Sequence, residues 1–175
     1  MNVQLATLDY FKEQFIIFCF VCRNNVMSMD TFRSFNEWVP LAGQMGVQFS
    51  ANTIHDTNGE KNMFTLNFHN TPGPTHILFV DSDVVFSPWH VLGLLSAKKH
   101  IVGAGGLAYD HKDDMAIEDD IREVSRIPES FMLISREALV HLDGKLYEED
   151  ISFFDRWREM GGRIWSHDQV SIKRA

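Results

Sequence analysis

The stretch THILFVDSDVVFSPW, residues 75–89, decides how the fold is read. Its apolar run ends on Asp81 and Asp83, with Ser82 between them and the pair Ser87–Pro88 just beyond. A run that is apolar at successive positions marks a strand covered on both faces, as at the centre of a parallel sheet. Serine followed by proline marks a helix N-cap and the first helical position. Residues two apart on a strand project to one face, so the two carboxylates converge at the strand's carboxyl end while Ser82 points away. In an open α/β sheet that edge is where ligands bind.

Working outward, FIIFCFV (residues 15–21) predicts a buried strand, and Ser28 predicts the cap of a helix carrying Phe32, Phe35, Val39 and Ala42, stopped by Gly43 and Gly46. Val47, Phe49 and Ala51 alternate as a second strand, and Met63, Phe64 and Phe68 predict a short helix before the breaker TPGP at 71–74. Residues 1–14 are weakly patterned, as an extra helix or a loose arm. Beyond the central run come a helix ending near Lys98, Lys99 and His100, a strand IVGAGG (101–106) that breaks into a glycine turn, and a polar segment at 109–123 expected to be a mobile loop. FMLIS (131–135) predicts another strand and REALVHL a helix. A last helix is expected from about Asp150 to Met160, burying Phe154 and Trp157 and ended by Gly161 and Gly162, before a final strand at 163–165. Strand and helix alternate throughout, so the expected fold class is α/β. It is a doubly wound, Rossmann-like nucleotide-binding sandwich with a mostly parallel central sheet, in one domain over residues 1–175.

Composition narrows the function. With 45% hydrophobic residues, 14 Phe and 4 Trp in 175 residues, the chain has ample material for a core. A formal charge of −8 and the lack of a Lys/Arg cluster exclude a nucleic-acid partner. The run at 15–21 is far shorter than the ~20 residues of a membrane span and has no basic flank or cleavage site, which predicts a cytoplasmic protein, or one of the host cytoplasm if viral. Cys19 and Cys22 form a lone C-x-x-C with no second pair to complete a zinc site, and they read as reduced core thiols on opposite strand faces.

Two carboxylates held this close need protonation, solvent or a cation. An oxygen-rich pair suits Mg2+ or Mn2+ shared with a diphosphate. THILFVDSDVVFSP, then HIVGAGG, SFMLISREAL and EEDISFFDRWREMGGRIW, resembles the motif order of small glycosyltransferases with the GT-A fold, and especially the compact family-2-like enzymes of bacteria, phages and large viruses. The resemblance covers residues 75–165 and implies a transferase that moves a sugar from a nucleotide-sugar donor to a glycan or other hydroxyl acceptor, with inversion. It implies that Asp83 ligates Mn2+ or Mg2+ directly, with Asp81 acting through water or the ribose. It further implies Asp150 as the base, with Glu149 next in line, Gly105 and Gly106 beside the donor sugar, and His167 as a late metal ligand.

Other readings of the same residues remain. Asp150 also fits a helix N-cap, Gly105 and Gly106 a plain tight turn, and His167 a surface position. LFVDSDVV also fits a phosphohydrolase of the haloacid-dehalogenase type, with Asp81 as nucleophile, Asp83 as acid/base, and Ser96, Lys98 and the Asp119–Asp120 pair downstream. A non-catalytic nucleotide-sugar-binding module is the third possibility.

Overall fold

The computed structural model describes residues 5–105, 117–118, 120–148 and 151–175, without the side chain of Asn25. After a short α1 (Leu8–Lys12), the chain alternates β1 (Phe15–Cys22), α2 (Met29–Met45), β2 (Gln48–His55), α3 (Asn58–Asn70) and β3 (His76–Asp81). Then follow β4 (Val84–Val85), α4 (Pro88–Ser96), β5 (Ile101–Ala104), β6 (Ile117–Glu118), β7 (Ile121–Val124) and β8 (Phe131–Ser135). The chain continues with α5 (Arg136–His141), α6 (Phe153–Glu159), β9 (Ile164–His167) and β10 (Lys173–Arg174).

Among the described residues eight strands form one sheet in the order β2-β1-β3-β8-β5-β9-β7-β6. β1 pairs in parallel with both β2 and β3, and β5 with β9, whereas β8 runs antiparallel between β3 and β5. Six of the eight strands therefore share one direction, and the sheet is mostly parallel. β4 and β10 make a separate antiparallel pair, Arg174 opposite Val84.

Both sheet faces are covered, which is why β3 and β8 carry unbroken apolar runs. On one face Phe18, Leu78, Val80 and Leu133 pack with Trp38 of α2 and Leu92 of α4. On the other, Ile77, Phe79 and Met132 pack with Phe68 of α3, Leu139 of α5 and Trp157 of α6. Cys19 and Cys22 are free and buried in opposite layers, and burial pushes the Cys19 thiol upward.

Four details depart from the sequence reading. α2 turns Thr31, Ser34, Trp38 and Ala42 inward and leaves Phe32 and Val39 exposed, because Trp38 fills the space against Phe18, ring centroids 5.8 Å apart. The central strand stops at Asp81, and Val84–Val85 leaves the main sheet to pair with β10. Within the polar segment at 109–123, residues 117–118 and 121–123 belong to strands at the sheet edge, with Ile121 buried and β7 paired to β9; residues 109–116 and 119 lie outside the described residues. The last helix begins at Phe153, capped by Ser152, whose side chain accepts from the Phe154 N–H. None of the described helices is long and apolar enough to cross a membrane.

Candidate active site

Asp81 ends β3, and the turn after it is fastened from three sides. The Asp81 N–H donates to Ser130 O beside β8 (2.9 Å), and the Ser82 N–H to Val21 O of β1 (2.9 Å). From α2, Thr31 Oγ1 donates to Ser82 O (3.0 Å) and Ser34 Oγ accepts from the Phe86 N–H (3.1 Å). A helix face that buries two hydroxyls is stable only when they find partners. Here those partners are the backbone around Asp81 and Asp83. Thr31 and Ser34 went unnoticed in the sequence; the signal was polar residues at 31 and 34 in one stripe with Trp38 and Ala42.

The two carboxylates do converge, and what they converge on is Arg174. Its Nη1 donates to Asp81 Oδ2 at 3.1 Å and makes a shorter contact with Asp83 Oδ1. Asp81 is mostly covered, while Asp83 and Arg174 are about half exposed. The backbone is pinned as well: the Ala175 N–H donates to Asp83 O at 2.7 Å. Nothing local in the sequence links Arg174 to a motif 91 positions earlier.

Asp81 and Arg174 open onto a cavity of about 840 Å³ at the carboxyl ends of β1 and β3. Among the described residues five cationic side chains line it, Arg23, Lys61, Arg126, Arg158 and Arg174, against four acidic ones, in a chain of net charge −8. Lys61 of α3 is nearly buried and reaches Asp56 at 3.0 Å and Glu129 at 3.7 Å. The Lys61 ammonium, helped by Arg23, holds the Asp56 carboxyl below its usual range. Burial, reinforced by the Glu129 carboxylate bonded to its hydroxyl, pushes Tyr147 well above the ordinary phenol value. Arg158 pairs with no carboxylate among the described residues and is the wall's uncommitted cation.

Glu149 and Asp150 lie outside the described residues. Their flanks are fixed: Asn62 Oδ1 accepts from the Leu146 and Tyr147 N–H groups at 2.9 Å, and Ser152 both caps α6 and lines the cavity. The structure does not bring His167 to the aspartates. His167, on β9, pairs with Ala104 of β5, and β9 lies three strands from β3, a separation of about 14 Å by strand spacing. Its side chain lies on the sheet face opposite Asp81. It is buried, not superficial, and burial lowers its pKa against the pull of Asp120 and Asp168. Among the described residues, no three His, Cys, Asp or Glu side chains stand together in a way that could hold a metal ion.

Gly105 is small for a backbone reason. A Cβ there would lie 2.6 Å from His167 O, and the Gly105 N–H donates to His167 O and Val170 O. Gly106 lies outside the described residues. The phosphohydrolase arrangement is not assembled: Lys98 borders the cavity that opens beside His76 at the other end of β3, and Ser96 Oγ accepts from the Ala6 N–H.

No family model and no curated protein matches the sequence. Solved structures do match in shape. The A197 protein from STIV superposes with a TM-score of 0.62 at 12% identity, over 93% of this chain and 85% of that one. A Drosophila β-1,4-galactosyltransferase 7 mutant, in complex with manganese, UDP-galactose and xylobiose, gives 0.59 at 11% identity over 92% and 70%. The inositol-1-phosphate CTP transferase of T. maritima gives 0.52 at 10% identity over 93% and 89%. Identities this low speak for the fold alone, and the fold is a GT-A-like α/β sandwich with a mostly parallel central sheet.

Proposed function

We propose that this chain is a glycosyltransferase that moves a sugar from a nucleotide-sugar donor to a hydroxyl acceptor. The observation that carries the reading is the pair Asp81 and Asp83, joined by Arg174, with Asp81 and Arg174 opening onto a cation-lined cavity at the carboxyl end of the central strand. A nucleoside diphosphate is a ligand of matching charge and place. The galactosyltransferase of the same fold holds UDP-galactose with manganese, which supports the donor class.

The chemistry follows from charge. The acceptor oxygen attacks the anomeric carbon, the bond from that carbon to the phosphate oxygen breaks, and its electron pair leaves with the diphosphate. The cations of the wall stabilise the negative charge that develops there. Asp150 is proposed to take the acceptor's proton, with inversion at the sugar, and Glu149 is the alternative base. Mn2+ or Mg2+, the cofactor the D-x-D motif implies, would use the two carboxylate oxygens that Arg174 already engages. Ion and guanidinium exclude each other, so a divalent ion does not fit this arrangement while Arg174 is in place.

A thermal-shift screen of nucleoside diphosphates and nucleotide-sugars tests the reading. A ligand at a hundred times its dissociation constant adds about 2.7 kcal/mol. For a domain of this size that raises the midpoint by roughly 5–10 °C. No shift with any nucleotide, in chelator or in Mn2+, would sink the proposal. Binding without release of free nucleoside diphosphate in the presence of acceptors would leave a sugar-nucleotide-binding module instead.

A further inference from the structure

We infer that Arg174 is the resident cation of the donor site, so that nucleoside diphosphate is bound and its departing charge met by a guanidinium in place of a divalent ion. The inference rests on the nucleotide-sugar reading above.

One nitrogen, Nη1, serves an oxygen from each carboxylate, at the single point a bridging ion would take. This is more than a surface side chain that happens to fall nearby. β10 is bonded to β4, which directly follows Asp83, and Ala175 is bonded to Asp83 itself. Val170 is fully buried and Ile172 packs on the core, so the segment bearing Arg174 is anchored to the loop bearing its partners.

A guanidinium has five N–H donors in a planar fork, and the contacts to Asp81 and Asp83 run through one nitrogen. About half of the side chain stays accessible, and it lines the cavity. The carboxylates therefore orient the fork, and its outer edge is available for bidentate contact with a phosphate. Arg158, without a carboxylate partner among the described residues, lines the same cavity and adds the second positive charge a diphosphate needs. In this arrangement Asp81 and Asp83 are positioning residues for Arg174.

The test is isothermal titration of UDP, GDP, CDP and ADP into wild type, Arg174→Gln and Arg174→Lys, each in EDTA and in Mn2+, with Mn2+ binding followed separately by electron paramagnetic resonance. Wild type is expected to bind one of these nucleotides with affinities within about twofold in the two buffers and to take up no Mn2+ of its own. Arg174→Gln is expected to lose about 10- to 100-fold in EDTA, the value of a charge-assisted hydrogen bond. It is also expected to gain Mn2+ binding at the vacated carboxylates, with part of the nucleotide affinity restored by the ion, which a purely structural role for Arg174 would not produce. Arg174→Lys keeps the charge and is expected to fall between.

Wild-type binding that vanishes in EDTA and returns with Mn2+ would overturn the inference and leave the nucleotide-sugar reading standing. No nucleotide binding in any arm would remove both. Should Arg174→Gln fail to fold, the wild-type titrations decide alone: a gain of more than about tenfold from Mn2+ refutes a resident guanidinium.

Discussion

Acidification is expected to weaken the fold through His76, far from the carboxylates. His76 opens β3 at the edge of a cavity of about 690 Å³ that also touches His69, Lys98, Lys99, His100 and Arg136, with Glu137 the acidic side chain among the described lining. Burial, then the neighbouring His100, lowers its pKa to about 4 from an ordinary 6.5. Because the folded value is depressed, the neutral ring's contribution is complete above the unfolded pKa and is lost as pH falls toward the folded one. At about pH 4.5 the unfolded chain carries nearly a full proton here and the folded chain about a quarter of one, a loss of between about 2 and 3 kcal/mol relative to about pH 7.5. His76→Gln removes the titration while keeping a polar side chain. Urea unfolding followed by tryptophan fluorescence, run on both proteins across this range, cancels the carboxylates they share. The wild-type advantage over His76→Gln is expected to shrink by that amount on acidification. A difference that stays constant within about 0.5 kcal/mol would refute the account of a desolvated ring among cations.

Two further outcomes bear on the site and its support. Asp150→Asn is expected to keep donor affinity and lose about 10²- to 10⁴-fold in transfer rate, the range for removing a general base; if Glu149→Gln takes that loss instead, the base is the neighbouring residue. Gly162→Ala places a Cβ 2.1 Å from Trp157 Cε2 and is expected to cost about 1–3 kcal/mol or more in urea unfolding, with an unchanged midpoint showing that α6 can shift freely.

The element order was legible because local signals agree with the global fold. Ser28 and Ser87 cap the helices they were expected to cap, and ILFV and FMLIS are buried on both faces. Gly161 ends the last helix with φ +82°, and Gly162 lies against Trp157, whose indole N–H reaches Arg163 O at 3.0 Å. Long-range chemistry was illegible for an equally physical reason. The inward face of α2 depended on hydroxyls whose partners lie about 50 residues away, and a periodicity argument that counts only apolar residues chose Phe32 and Val39 in their place. The Asp81–Asp83 pair was legible as a motif at a strand end, although Asp83 lies in the turn after β3 and meets Asp81 through Arg174 rather than through the strand's alternation; Arg174 itself was not legible, because no spacing rule joins a strand end to a residue on a distant two-residue strand.

The span between Asp83 and Arg174 also sets a clock. At roughly 5–20 residues per second, a ribosome takes about 5–18 seconds to make the 91 positions separating them. β1, α2 and β3 are complete before that interval begins, but β8, which fills the sheet's centre beside β3, emerges more than half-way through it. For those seconds two adjacent carboxylates lack the guanidinium that joins them, at the end of a strand whose other long edge is still open to solvent. The nascent chain thus presents an open strand edge in the same period in which the corner at Asp81 and Asp83 is electrostatically unfinished. The corner at Asp81 and Asp83 closes only after β9 has joined the sheet and β10, which carries Arg174, has paired with β4.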